Sequence, residues 1–232
     1  MPSRTAPGAS WLLYDDWSPK LLKAKVYEQI LLDIIFGELP PGGRLDEGVL
    51  ARRYEAGLAG VRDALARLAL EGLVVRRARA GTTVAPIDLV DVRQAIDVRR
   101  LIEPHCAGLA ATHANAEDVA ALRAAFSDAG RAIKARDIRA IVDMDLRFHI
   151  AMARACHNAT LARILIPLQH KATRFWVYSM KDDTAAEQME EVRRHLKVVD
   201  LIAARDVEGA RVAMIRILTD FTQIAKRAAS AR

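Results

Sequence analysis

The chain has 232 residues, of which 52% are hydrophobic and 28% charged, and its formal net charge at pH 7 is +6. This length and composition predict one large or two modest domains with an ample hydrophobic core. The positive charge suggests an acidic partner, but residues 1–87 carry 12 Lys and Arg against 10 Asp and Glu. Basicity alone therefore does not single out a nucleic-acid-binding segment.

The first 20 residues are predicted to form a mobile arm. Their apolar cluster, Trp11 to Tyr14, spans four residues, which is too short for a signal peptide or a membrane span. The two cysteines, Cys106 and Cys156, have no C-x-x-C spacing and fall on apolar helix faces, where buried thiols are expected. These features fit a cytoplasmic protein that does not associate with a membrane.

Residues 21–87 are predicted to form a winged helix-turn-helix domain. Apolar residues at helical spacing mark three segments: 26–36, 45–54 and 61–70. Gly57 and Gly60 interrupt the pattern between the last two segments, as in a helix-turn-helix. Gly72 then provides a left-handed helix cap. Two β-type runs follow and predict a hairpin, the wing, at 73–75 and 82–84.

Residues 88–232 are predicted to form an all-helical antiparallel bundle, so the fold class is mostly α. Proline and glycine become rare, Ala and Leu dominate, and each break in the helical pattern offers an Asn, Asp or Thr cap. We expect about six helices, at 89–113, 116–135, 138–157, 159–180, 184–204 and 207–228. A bundle of this size can hold a ligand pocket between its helices.

The N-terminal segments match one known family in register. They read VYEQI at 26–30, GELPPG at 37–42, LA at 50–51, VRDAL at 61–65, EGLV at 71–74 and GT at 81–82. The chain thus resembles GntR-superfamily bacterial transcription regulators of the FadR-like branch, which carry an FCD ligand-binding domain. The resemblance implies a regulator whose binding to double-stranded operator DNA is controlled by a small organic acid. Because such regulators usually read two symmetric half-sites, we expect a homodimer.

The resemblance also implies which residues contact DNA. These are the basic residues of the second and third helices of the winged domain, the basic residues of the wing, and the Gly-Thr pair of the wing. They are Arg52, Arg53, Arg62, Arg76, Arg77, Arg79, Gly81 and Thr82. The family usually has a Ser-Arg-Thr-Pro run where this chain has 57–60 (Gly-Leu-Ala-Gly), and often an Arg at the position of Gly48. Leu and Ala neither bind phosphates nor donate paired hydrogen bonds to guanine. Either specificity is altered, or DNA binding is weakened.

Three polar residues lie on inward faces of the predicted bundle. Asp145 and His149, one turn apart, lie on or beside the apolar stripe of the third bundle helix, and His195 lies on the stripe of the fifth. A carboxylate among apolar residues is costly unless it is paired or binds a metal. One oxygen and two imidazoles suit Zn, Ni, Mn or Fe. From the residues alone, a hydrogen-bonded core cluster or a solvated face remains an equal alternative.

The resemblance favours the metal site. Many FCD domains bind a divalent metal through an Asp-x-x-x-His pair in this helix, a His in the fifth helix and a His in the sixth. Asp145, His149 and His195 match the first three positions, whereas the fourth is Ile217. Three ligands can hold a metal if water or an effector carboxylate completes the shell, with reduced affinity.

Arg99 matches an arginine that the family places near the effector. An arginine can bind a carboxylate through two parallel hydrogen bonds. The alternative is an internal ion pair with Glu103, one turn further along the helix. The other histidines share no face with the metal ligands and are expected at the surface: His105, His113, His157 and His170.

Three functional hypotheses follow from these patterns. The first is a DNA-binding transcription regulator controlled by a small organic acid that is bound to or beside a metal. The second is a sensing or interaction protein of the same fold with weakened DNA binding, which the segment 57–60 favours. The third is a metal-dependent hydrolase. It is the weakest because the sequence has no His-Asp dipeptide and no evident general base beside the ligands, so the chain is not expected to be an enzyme.

Overall fold

The computed structural model describes residues 22–79, 81–179 and 184–230. The arm predicted over residues 1–20 lies outside these ranges. The structure is mostly helical, with an N-terminal helix-turn-helix followed by a helical C-terminal domain, as predicted. Within the described ranges, no helix is both long and apolar enough to cross a membrane.

The N-terminal domain contains three helices and a two-stranded antiparallel sheet. They are α1 (Leu22–Ile35), α2 (Glu47–Arg53), α3 (Leu58–Leu70), β1 (Val74–Arg77) and β2 (Gly81–Val84). Asp46 caps α2 by accepting a hydrogen bond from the backbone NH of Val49 at 2.9 Å. Helix α3 begins at Leu58, three residues earlier than the spacing predicts. Gly60 therefore lies inside its first turn instead of in the connecting turn.

The helical domain consists of α4 (Leu89–His113), α5 (Ala116–Ala124), α6 (Ala129–Lys134), α7 (Ile138–Ala155), α8 (Ala159–Ser179), α9 (Ala185–Ala203) and α10 (Val207–Ser230). The described residues thus form seven helices here, and the single helix predicted over 116–135 is wrong. The chain turns after α5, and Phe126 is buried with its ring 5.6 Å from that of Phe148 and 5.5 Å from that of His195. Packing of this ring into the bundle explains why the helix breaks.

Helix α8 joins the two domains. It packs against α4 in the bundle and also contacts α1 of the N-terminal domain. Its Arg174 donates a hydrogen bond of 2.6 Å to the backbone oxygen of Ala85, in the segment that links β2 to α4. His170 is fully buried on the same helix, so the surface position predicted for it is wrong. Sequence spacing cannot reveal this burial, because the covering surface comes from the other domain.

Candidate metal centre and DNA-reading surface

Helices α7 and α9 bring the three predicted metal ligands together. Oδ1 of Asp145 lies 3.6 Å from Nε2 of His149 and 3.5 Å from Nε2 of His195. One ligand atom from each residue lies within 4.8 Å of the others. Asp145 and His149 share a face of α7 because they are one turn apart. An oxygen and two nitrogens therefore converge on a space suited to one cation.

A second layer of groups orients these ligands. Nδ1 of His149 lies 3.0 Å from Oε2 of Glu103, although the hydrogen-bond alignment is poor. Nδ1 of His195 lies 2.8 Å from the backbone oxygen of Glu191. Gln169 of α8 donates a hydrogen bond of 3.1 Å to Oδ2 of Asp145. Metal-binding imidazoles commonly hold their second nitrogen in this way, which directs Nε2 towards the metal.

The site is buried, and burial shifts its protonation. Burial lowers the pKa of His195 to about 4, and the charge of Asp145 offsets this only in part. Burial also lowers the pKa of His149, but the Glu103 and Asp145 carboxylates outweigh it and raise that pKa to about 9. At neutral pH, His195 thus offers a free lone pair, whereas a metal must compete with a proton on His149.

Arg99 forms an ion pair with Glu103, as one of the two sequence interpretations predicts. Both side chains are almost fully buried. Burial raises the pKa of Glu103, but the charges of Arg99 and His149 outweigh it and bring the pKa to about 2. Glu103 therefore stays ionised and links Arg99 to the ligand His149.

Aromatic and apolar side chains surround the ligands. The ring of Phe148 lies 4.8 Å from that of His195 at 90°, and 5.2 Å from that of His149 at 77°. Ile217 is buried in α10, so the position that the resemblance assigns to a fourth ligand holds an apolar side chain.

The basic residues predicted to contact DNA are all exposed, but they differ in pairing. The six are Arg52, Arg53, Arg62, Arg76, Arg77 and Arg79. Arg62, on α3, lies 2.6 Å from Glu47 of α2 and keeps 61% of its side chain exposed. Arg53 forms an ion pair with Asp33 of α1, which also accepts a hydrogen bond from the Tyr54 hydroxyl. Arg53 therefore also joins α2 to α1.

The Gly-Thr pair of the wing and the start of α3 offer few polar side chains of their own. Gly81 is exposed with φ of +92°, and Thr82 is half-buried at the start of β2. Gly57 caps α3 without a side chain, and a Cβ at Gly57 or Gly60 would meet open space. Leu58 is 48% exposed between them. The first turn of α3 is therefore accessible but carries no polar side chain.

Models of two protein families match this chain in succession. The model for bacterial regulatory proteins of the gntR family matches residues 22–84, and the FCD domain model matches residues 94–220. The chain belongs to the gntR family of regulators with an FCD domain. It is a transcription regulator and not an enzyme. The gntR domain implies DNA binding, and the FCD domain implies a small-molecule effector.

Curated relatives agree with this assignment. The chain is 28% identical over 211 residues to the HTH-type transcriptional regulator LutR of Bacillus subtilis, covering 81% of this chain and 94% of LutR. It is 29% identical over 209 residues to a protein named as a probable D-xylose utilization operon transcriptional repressor of Paenarthrobacter nicotinovorans, covering 86% and 88% of the two chains.

Solved structures share the fold. E. coli McbR/YncC superposes with a TM-score of 0.78 at 21% identity, covering 89% of this chain and 98% of that one. A GntR transcriptional regulator from Rhodococcus sp. RHA1 superposes with a TM-score of 0.67 at 21% identity, covering 90% and 98%. Both the gntR domain and the FCD domain are therefore built on a known architecture.

Sequence reasoning missed several residues around the FCD site. The helical spacing predicts Glu103 as a partner of Arg99, but it does not predict that Glu103 also lies against His149. Gln169 and Phe126 were not singled out, because a glutamine or phenylalanine at helical spacing carries no specific signal. The signal that marks Gln169 is its polar side chain on the inward face of α8, where it is 4% exposed.

Proposed function

We propose that the FCD domain binds a divalent metal ion through Asp145, His149 and His195. The main support is the convergence of Oδ1 and both Nε2 atoms. Nδ1 of His195 is hydrogen-bonded to the backbone, and Nδ1 of His149 lies beside the Glu103 carboxylate. Within the described part of the chain, Nε2 of His195 is buried without a hydrogen-bond partner. A buried acceptor without a partner is costly, and a metal would satisfy it. The ligand set suits Zn, Ni, Mn or Fe.

A small organic acid would complete the metal shell. Three protein ligands leave at least one tetrahedral position open, as in metal sites that bind an exchangeable group. An acid carboxylate could take this position, because Ile217 supplies no competing ligand. Arg99, which is paired with Glu103 beside the candidate ligands, would bind the effector carboxylate by exchanging Glu103 for it.

The regulator would act on operator DNA as a homodimer in the cytoplasm. Leu101 on α4 is 76% exposed and Val98, one turn before it, is 39% exposed. Exposed apolar residues clustered on one helix face are typical of an interface. Two copies would place two α3 helices on symmetric half-sites, with Arg52, Arg62 and the wing arginines against the DNA. Effector binding would change the spacing of these two helices relative to each other.

Metal content and thermal unfolding of the full chain test the metal centre. We expect purified protein to contain Zn, Ni, Mn or Fe, and stripped protein to regain stability when one of these metals is added. At a free metal concentration of 100 times Kd, the gain is about 2.7 kcal/mol by mass action. His195→Ala should abolish this gain, whereas His113→Ala, at an exposed site on α4, should leave it unchanged.

Ile217→His provides a gain-of-function test, because it adds a metal ligand instead of removing one. By adding the ligand that the resemblance places in α10, it should increase metal stabilisation. Protein with less than roughly a tenth of an equivalent of metal, and no rise in melting temperature with any of the four ions, would contradict the proposal. The cluster would then be the hydrogen-bonded core that the residues alone also allow.

A further inference from the structure

Helix α8 contacts both the metal centre and the DNA-reading helix through consecutive residues. Gln169 donates a hydrogen bond of 3.1 Å to Asp145, and it donates another of 3.2 Å to Thr173 one turn along α8. The next residue, His170, faces the N-terminal domain, where its Nδ1 lies 3.4 Å from Oε2 of Glu71. Both side chains are at most 4% exposed, so neither contact is a surface feature.

Glu71 is the C-terminal cap residue of α3. Its carboxylate accepts a hydrogen bond of 2.7 Å from the Tyr27 hydroxyl of α1 and one of 3.2 Å from Nε of Arg67 in α3. We call Tyr27, Arg67, Glu71 and His170 the interdomain cluster. Burial raises the pKa of Glu71, but the hydrogen bonds and charges of its partners outweigh it and lower the pKa below its usual value. The end of α3 is therefore held by a buried charge that α8 helps to satisfy.

We propose that α8 transmits the state of the metal centre to the reading helix, with Gln169 and His170 as the positioning residues. This inference rests on the proposed function of the FCD domain and adds the route by which it reaches DNA. A ligand that pulls on Asp145 displaces its partner Gln169, and α8 carries the displacement to His170. Glu71 moves with His170, because a buried carboxylate retains its hydrogen-bond donors. The C-terminal end of α3 then moves with Glu71.

Other contacts make α8 suited to move the N-terminal domain as a unit. Arg174, one turn after His170, holds the backbone oxygen of Ala85 directly after β2. Nζ of Lys171 lies 2.9 Å from Asp91, in the first turn of α4. A Cβ at Gly72, directly after Glu71, would lie 2.9 Å from the same Nζ. A shift of α8 therefore acts together on the end of α3, on the segment that links β2 to α4 and on the first turn of α4.

Hydrogen exchange measured by mass spectrometry on the full chain tests this route. Zinc chloride is the probe, and the peptides of interest cover the C-terminal half of α3 and β1. We expect zinc to change their exchange rates by about fivefold or more, the lower end of usual allosteric coupling. In His170→Phe, which leaves the groups around Asp145 in place, zinc should still raise the melting temperature, but the change at α3 should disappear.

Two further variants separate a positioning role from a packing role. His170→Asn retains a donor near the position of Nδ1 and should restore the response of α3. His113→Phe, an exposed control on α4, should behave like the unsubstituted protein. If α3 responds to zinc equally in His170→Phe and in the unsubstituted protein, the route through His170 is wrong.

A second set of variants is measured without metal. It tests the route through α8 independently of whether the candidate metal centre binds zinc. Asp145→Asn perturbs the partner of Gln169 directly and should alter exchange at α3. The same substitution in a His170→Phe background should leave α3 unchanged, because the connection is already broken. If Asp145→Asn leaves α3 unaffected in the otherwise unsubstituted chain, the proposal fails whether or not zinc binds.

Discussion

The metal centre and the DNA-reading surface have each changed at positions that the resemblance marks as functional, but in different surroundings. At the candidate metal centre, Ile217 occupies the position where the resemblance implies a fourth ligand, yet the other three candidate ligands keep the supporting groups Glu103, Glu191 and Gln169. The reading helix has glycine and apolar residues in its first turn, and open space surrounds them.

The difference shows how burial constrains each site. Inside the bundle, each polar atom depends on its neighbours, so substitutions should affect both stability and ligand affinity. At Gly57, Leu58 and Gly60 the surface of α3 is open to solvent, so substitutions there should affect DNA affinity while leaving stability nearly unchanged. The following predictions test this contrast, from the largest expected effect to the smallest.

Glu103→Ala should produce the largest loss of stability. It leaves Arg99 buried without its carboxylate partner, which typically costs about 3–5 kcal/mol. The free energy of unfolding, measured by urea denaturation of metal-free protein, checks this. Asp97→Ala, at an exposed position on the same helix, should change it by no more than about 0.5 kcal/mol. Equal effects of the two substitutions would show that burial does not govern this region.

Glu103→Gln separates charge from shape at the metal centre. The amide keeps the size of the side chain but removes the negative charge opposite Nδ1 of His149. Loss of such a supporting group lowers metal affinity by about 10- to 100-fold, which calorimetric zinc titration would measure. Unchanged affinity would mean that the Glu103 charge does not support His149 as a ligand.

Arg62→Ala should weaken DNA binding without loss of stability. Arg62 is the exposed arginine of α3, and removing a base-reading arginine costs about 1–3 kcal/mol and relaxes preference at one base pair. Affinity can be measured on duplexes selected from random DNA by the unsubstituted protein. Leu58→Arg, which adds a cation to the first turn, should strengthen binding to all sequences. If neither substitution alters affinity, this helix does not face DNA.

Gly60→Ala should have the smallest effect, and it should slightly increase the free energy of unfolding. Alanine favours a helix over glycine by about 0.8–1.0 kcal/mol in a helix interior, and less is expected in the first turn. Gly72→Ala is the matched control: φ is +76° and the new Cβ would lie 2.9 Å from Nζ of Lys171, so it should destabilise the protein. Denaturation midpoints of both variants would measure the contrast.

The sequence by itself determined the two-domain order, the helix-turn-helix and wing, and the three residues of the candidate metal centre. These features depend on local rules: helical spacing places Asp145 and His149 on one face of α7, and β-type runs predict the hairpin. A match of many short segments to one family in register then implied which residues have functional roles. The domain limits at residues 21–87 and 88–232 remain predictions, and the two family matches lie within them.

The tertiary structure alone decided which polar residues are buried together. Sequence spacing describes one helix at a time, whereas His170 is buried because Glu71, 99 positions earlier in the chain, lies against it. The break between α5 and α6 likewise follows from the packing of Phe126 against rings from α7 and α9. Such contacts join residues distant in sequence, and their free energy overrides the local preference for a continuous helix.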